Sequence, residues 1–196
     1  MATQARGGRT VILDAAVARF TKVGYHGASM RDIASDADVT VASIYYHFTS
    51  KQEILQEIML GILTEVIAET GSSLLSAGSR PDEQLAALVR SWVLFHVRRG
   101  AEAMVGASEI RSLEPDGLQK IVALRDEQEN IFRAVVDRGV DEGVFSTPHP
   151  HGAARAIIAM GRSIVDWYHV GGPTTPEALA EEYAELALAM VRHQTD

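Results

Sequence analysis

Along almost the whole chain, apolar residues recur three and four positions apart. No stretch alternates with the two-residue period of a half-buried strand. The pattern predicts an all-α protein of about nine helices. Ser29, with Asp32 three residues on, reads as a capping box opening a short helix whose apolar face is Ile33, Ala34 and Ala37. Ala37-Asp38-Val39 forms a turn, and Thr40 is an N-cap for a second short helix, Val41 to Phe48. Ser50 and Glu53 form another capping box, opening a helix with Ile54, Leu55, Ile58, Ile62, Leu63 and Val66 inside. Gly71 to Arg80, rich in Ser and Gly, reads as a loop. Pro81 starts a helix to about Arg99, with Leu85, Leu88, Val89, Trp92 and Val93 apolar, and Gly100 ends it. Further helices are expected at about Ala101–Leu113, Leu118–Glu142, His151–His169 and Thr175–His193. They are separated by Glu114-Pro115-Asp116-Gly117, by Gly143 and Ser146–Pro150, and by Gly171-Gly172-Pro173.

The Val41–Phe48 helix carries the clearest chemistry. Ile44 and Phe48, four apart, share one face and anchor it. Val41, Ala42, Ser43, Tyr45, Tyr46 and His47 are left pointing outward. Small, hydroxyl-bearing and aromatic groups make a poor solvent face, but they suit insertion into a DNA major groove. Residues 29–51 therefore read as a helix-turn-helix DNA reader, with a DNA-binding domain over 1–51 and a second domain over 52–196.

Net charge of −8 at first opposes a DNA partner. Residues 1–51, however, hold six basic and four acidic side chains, so the segment is +2 and the remainder −10. A mildly basic head on an acidic body favours one docking orientation, with modest non-specific affinity and a shallow salt dependence. The absence of cysteine excludes disulfide, zinc-thiolate and cysteine-nucleophile chemistry, and suits a reducing compartment. The N-terminus lacks a signal-type apolar core, and runs such as Ser91–Phe95 and Ile157–Met160 are too short to span a bilayer. A cytoplasmic protein with no membrane partner is expected. Nothing points to an enzyme: no HExxH and no glycine-rich phosphate loop after a strand occurs, and His149-Pro150-His151 reads as a loop before a helix rather than a metal site. No cofactor is implied.

Residues from about Thr10 to Leu55 resemble the DNA-binding head of the TetR family of bacterial transcriptional repressors. The resemblance rests on Phe20 and Gly24, Ser29, Ile33-Ala34, Val39, Tyr45, Phe48, Ser50-Lys51 and Leu55, in order and spacing. It implies a first helix ending at Gly24 and a DNA-contacting set of Ser29, Arg31, Thr40, Val41, Ser43, Tyr45, Tyr46, His47 and Lys51, with Tyr45 and Lys51 on phosphates. Two positions depart from the family pattern. Asp38 stands where a turn glycine is usual, and Asp tolerates φ > 0 less freely. Val41 stands where a phosphate-contacting lysine is usual, which weakens backbone affinity and favours apolar contact with a thymine methyl.

The last two helices are rich in alanine: Ala153, Ala154, Ala156, Ala159 and Gly161, then Ala178, Ala180, Ala184, Ala187 and Ala189. Small residues let helix axes approach closely, either within one subunit or across an interface. The TetR resemblance implies the interface, hence a homodimer on a pseudo-palindromic operator in double-stranded DNA. Trp92, His96, Arg99, Glu109, Arg111, Arg162, Asp166 and Trp167 mix bulky apolar with ionic groups and are candidate ligand residues. Each also has a plainer reading. The tryptophans suit core positions, Arg162 and Asp166 suit an i,i+4 surface pair, and Arg98-Arg99 suits a helix C-terminus. Asp166-Trp167-Tyr168 followed by Gly171-Gly172-Pro173, and the segment Arg125 to Phe145, resemble the KstR-like branch of the family. That resemblance implies a small-molecule inducer of the acyl-CoA thioester class. The alternative is a sensor of lipophilic drugs or other hydrophobic effectors.

Overall fold

The structure is a computed structural model that describes residues 2–191. Among these residues there is no strand, and nine helices have seven residues or more. In chain order the helices are α1 (Ala2–Gly27), α2 (Met30–Asp36), α3 (Val41–His47), α4 (Lys51–Ser76), α5 (Pro81–Arg98), α6 (Gly100–Ser108), α7 (Pro115–Asp141), α8 (Pro150–Arg162), α9 (Ile164–Trp167) and α10 (Pro176–Met190). A 3-10 turn at Ile110–Ser112 lies between α6 and α7. The chain divides into two compact units. One comprises the chain up to Ile62 together with Ala101–Val122, the other Leu63–Gly100 together with the chain from Ala123 on.

Each expected element is present, and the boundary differences have local causes. Gly24 leaves helical backbone at φ +74°, so α1 kinks where the first helix was expected to end. Gly71 does not stop α4, which continues to Ser76. There, Ser73 and Ser76 donate their hydroxyls back to the Thr70 and Ser72 carbonyls, keeping their polar groups satisfied on the helix. Pro115 sits in the first turn of α7, where its missing N–H costs nothing, so that helix starts earlier than expected. The single helix expected at His151–His169 breaks after Arg162 into α8 and the four-residue α9. The His193 end expected for the last helix lies outside the described residues.

In the first unit α1 packs against α2 and α3, and α2 against α3. Its core includes Ile12, Ala16, Phe20, Ile33, Ala34, Ile44, Phe48, Ile54 and Leu55. In the second unit α5 packs most extensively on α10, and also on α8 and α9. Leu85, Leu88, Trp92, Val93, Phe95, Phe132, Ile157, Leu179 and Ala184 are buried there. The alanines of α8 and α10 divide between two faces. Ala153, Ala154, Ala180, Ala184 and Ala187 are buried, whereas Ala156, Ala159, Ala178 and Ala189 are exposed.

Among the described residues, α4 is the one helix long and apolar enough, by length and composition, to cross a membrane. Short uninterrupted apolar runs miss it, because Glu57, Glu65 and Glu69 divide its apolar positions. Those positions, Ile54, Leu55, Ile58, Met59, Ile62 and Val66, are buried in protein. Glu65 and Glu69 meanwhile pair with Arg98, the last residue of α5, and Glu65 also with Arg99 just after it.

Candidate nucleic-acid interface and ligand cluster

One reciprocal cap and one single cap hold the α2–α3 pair. Ser29 Oγ accepts from the Asp32 amide at 3.2 Å, and Asp32 Oδ2 accepts from the Ser29 amide at 2.9 Å. These bonds, chiefly the one from the Ser29 hydroxyl, hold the Asp32 carboxyl below the usual carboxylate range. Thr40 Oγ1 accepts from the Ser43 amide at 3.1 Å and opens α3. At Ser50 the box is only half formed. The Glu53 amide reaches Ser50 Oγ, but the Glu53 carboxylate takes the amide and hydroxyl of Thr49 instead. Between the helices Asp38 is the only described non-glycine residue with positive φ, at +51°, so it occupies the conformation for which glycine is better suited.

Ile44 faces the core of the first unit, fully buried, and Phe48 follows it. What α3 presents outward is Val41, 40% exposed, with Ala42, Tyr45 at 52% and Tyr46 at 81%. Ser43 is half-buried. His47, expected among the outward groups, is also half-buried. Its ring stands edge-on to Tyr46, and a Cβ built on Gly8 of α1 would lie 2.8 Å from its Nε2. The exposed face of α3 is therefore narrower than its sequence suggests.

Cations that look available in the sequence are largely used inside the unit. Arg9 pairs with Glu57, donates to the His47 carbonyl at 2.7 Å and lies 4.3 Å from the Phe48 ring centroid, tying α1, α3 and α4 together. Arg19 forms a two-pronged pair with Asp36, both contacts at 2.6 Å. Lys51, expected on a phosphate, donates to the carbonyls of Tyr25 and Ala28 at 2.7 and 2.6 Å, with its ammonium over the Tyr25 ring. A lysine placed this way satisfies carbonyls left open at the end of α1. Burial lowers its pKa. Arg31 on α2 and Lys22 on α1 remain exposed, with no ion pair among the described residues.

The ligand candidates divide between the two units. Glu109 and Arg111 belong with the first. There Glu109 accepts from Ser112 Oγ at 3.1 Å, and Ser112 meets His26 at 3.3 Å. In the second unit Trp92, His96 and Arg162 come together. Trp92 is 4% exposed and donates Nε1–H to the Ile158 carbonyl of α8 at 3.2 Å. Its ring lies 4.3 Å from His96 and 5.8 Å from Phe132. Gly161 leaves room for it, since a Cβ there would lie 2.2 Å from Trp92 Cδ1. His96 Nδ1 is 2.8 Å from the Trp92 carbonyl, which makes Nδ1 the protonated nitrogen of a neutral ring. Burial, reinforced by the Arg162 charge, pushes its pKa down to about 4.

Arg99 pairs with Glu65 at 3.3 Å. Trp167 is 48% exposed and packs edge-on to Tyr168. Asp166 is exposed, and the surface pair with Arg162 does not form because the helix breaks at Ser163 between them. The sequence reading missed Arg125. It is half-buried on α7, and burial together with the neighbouring Arg162 lowers its pKa. The signal was present in the stripe Ile121, Arg125, Gln128, Phe132 and Val135, in which Ile121, Gln128, Phe132 and Val135 are buried. Gln128 is satisfied by Thr70 at 3.2 Å. The second unit thus joins rings, a neutral imidazole and two guanidiniums on α5, α7 and α8. His149 of the His-Pro-His sequence is the residue before α8, with Pro150 in the first turn.

Comparison with known proteins yields two family models. One, for the bacterial regulatory proteins of the tetR family, matches residues 12–58, and one for the tetracyclin repressor-like C-terminal domain matches residues 78–191. The HTH-type transcriptional repressor KstR2 of Mycobacterium tuberculosis is 25% identical over 190 residues, covering 96% of this chain and 94% of its own. Its solved structure superposes with a TM-score of 0.86 over 95% of both chains. A tetR-family regulatory protein from Rhodococcus RHA1 is 28% identical with a TM-score of 0.90, covering 96% of this chain and 98% of its own. AibR, solved in complex with isovaleryl coenzyme A and operator DNA, shares the fold at 23% identity and a TM-score of 0.83, covering 95% and 100%.

Proposed function

Since this chain belongs to the TetR family of DNA-binding transcriptional regulators and is not an enzyme, we propose that it is a cytoplasmic repressor that binds a pseudo-palindromic operator as a homodimer and is released by an acyl-CoA thioester. The observation that carries the DNA half is the doubly capped α2–α3 pair, which turns Val41, Ala42, Tyr45 and Tyr46 outward on a helix anchored by Ile44. Exposed small residues on α8 (Ala156 and Ala159) and on α10 (Ala178 and Ala189), together with the 46% exposed Leu186 of α10, support association of two copies. A two-fold dimer sets its recognition helices one DNA turn apart, roughly 34–36 Å.

The effector assignment rests on the cluster of the second unit. Trp92 and Phe132 supply apolar surface for an acyl group, and Arg125 and Arg162 supply charge for thioester or phosphate oxygens. Kinship to the repressor KstR2 supports the repressor reading, and the fold shared with AibR, solved with isovaleryl coenzyme A, supports this class of ligand. Buried, neutral His96 favours the second reading, an uncharged lipophilic effector. A ligand that binds better to one head spacing than to the other shifts the population off the operator.

The test is fluorescence anisotropy of the protein on the DNA upstream of its own reading frame, with acyl-CoA thioesters, free CoA and free acids titrated in. Release by one class of thioester, and by neither fragment alone, is the expected result. Release by uncharged lipophilic compounds only would reject the acyl-CoA assignment and leave the repressor.

A further inference from the structure

Direct reading of bases by charged and amide side chains in the major groove uses a short list. Arg or Lys makes paired bonds to guanine, Asn or Gln makes them to adenine, and Asp or Glu accepts from cytosine. The exposed face of α3 holds none of these. It consists of Val41, Ala42, Tyr45 and Tyr46, with Ser43 half-buried and its amide taken by Thr40. The His47 ring is drawn toward α1, beside Gly8, and Lys51 is committed to the Tyr25 and Ala28 carbonyls. Each tyrosine brings a single hydroxyl, enough for one bond to a base edge or a phosphate and too little to tell four bases apart.

The one base-specific feature of the major groove that needs no hydrogen bond is the C5-methyl group of thymine. Val41 is the one branched aliphatic side chain on this face, and it is 40% exposed. The Ala42 methyl stands beside it. We infer that Val41, seconded by Ala42, is a specificity-determining residue that selects thymine in each operator half-site through its methyl group. This inference rests on the proposal that α3 enters the major groove of an operator.

The test starts from duplexes selected by the full-length protein out of a randomised DNA pool, so that no operator need be known beforehand. Each conserved thymine is then replaced by deoxyuridine, which removes the methyl group and preserves base pairing and every hydrogen-bonding atom. Losing one buried methyl corresponds to about four-fold weaker binding. The same change in both half-sites compounds to roughly fifteen-fold.

The expected result is such a loss at one or two thymines per half-site in the natural protein. It should be absent in Val41→Ala, whose exposed position leaves the thermal midpoint unchanged. Equal binding of thymine and deoxyuridine duplexes at every position would overturn the inference while leaving DNA binding intact. An undiminished deoxyuridine penalty in Val41→Ala would also overturn it, by assigning the methyl contact elsewhere. If the pool yields no enriched sequence, the reading of α3 as a DNA reader fails with it.

Discussion

Acidification should unfold this protein partly through one buried ring. His96 is 6% exposed and shares its surroundings with Trp92, Phe95 and the charge of Arg162. In the folded chain its pKa is pushed from 6.5 to about 4. An unfolded chain therefore takes up a proton that the folded one refuses over the window between these values. Unfolding gains protons there, so stability falls as pH falls. The full effect, reached below pH 4, is about 3 kcal/mol at 1.36 kcal/mol per unit. By pH 5 roughly 2 kcal/mol of it is already lost, because the unfolded imidazole is almost wholly protonated and the folded one is not. The assay is urea unfolding of the natural chain and of His96→Gln at pH 8, 6 and 5, at one fixed protein concentration. Carboxylates titrate alike in both proteins and cancel in the difference. The natural chain should lose about 2 kcal/mol more than the variant between pH 8 and pH 5. Parallel stability curves for the two proteins would refute the argument.

Three further outcomes follow from other contacts. Gly161→Ala would press a Cβ into the Trp92 indole, lowering stability by about 1–3 kcal/mol and shifting tryptophan emission, both readable in one melt. Asp38→Gly relieves the positive φ of the α2–α3 turn and should stabilise the protein by roughly 0.5–1 kcal/mol in chemical denaturation, net of the entropy of the added glycine. Arg31→Ala removes an exposed cation from the head, so the log–log salt slope of operator binding should fall by about 1 for every sequence alike.

Local chemistry made most of the fold legible. Ser29, Asp32 and Thr40 act within four residues of themselves, and the structure places their hydrogen bonds where the sequence does. Long-range use of the same residue types was not legible. Lys51 looks solvated from its neighbours in sequence, yet its ammonium is held by carbonyls more than twenty positions away. His47 likewise lies against a glycine 39 positions earlier in the chain. Arg125 is illegible from residue type alone, because an arginine in a helix ordinarily faces solvent, although the apolar stripe of α7 runs through its position. Glu109 and Arg111 share a type with the other ligand candidates but belong to a different unit, a partition that no periodicity encodes.

The internal use of Arg9, Arg19 and Lys51 bears on how this regulator finds its target. Non-specific association with chromosomal DNA grows with the number of phosphates that free cations can neutralise. A head whose cations are mostly engaged in folding is captured weakly by the millions of competing sites in a genome. More of the protein then stays unbound and diffuses in three dimensions. Fewer copies are then needed to keep a specific site filled than for a head rich in free cations, because less of the protein is held elsewhere on the chromosome.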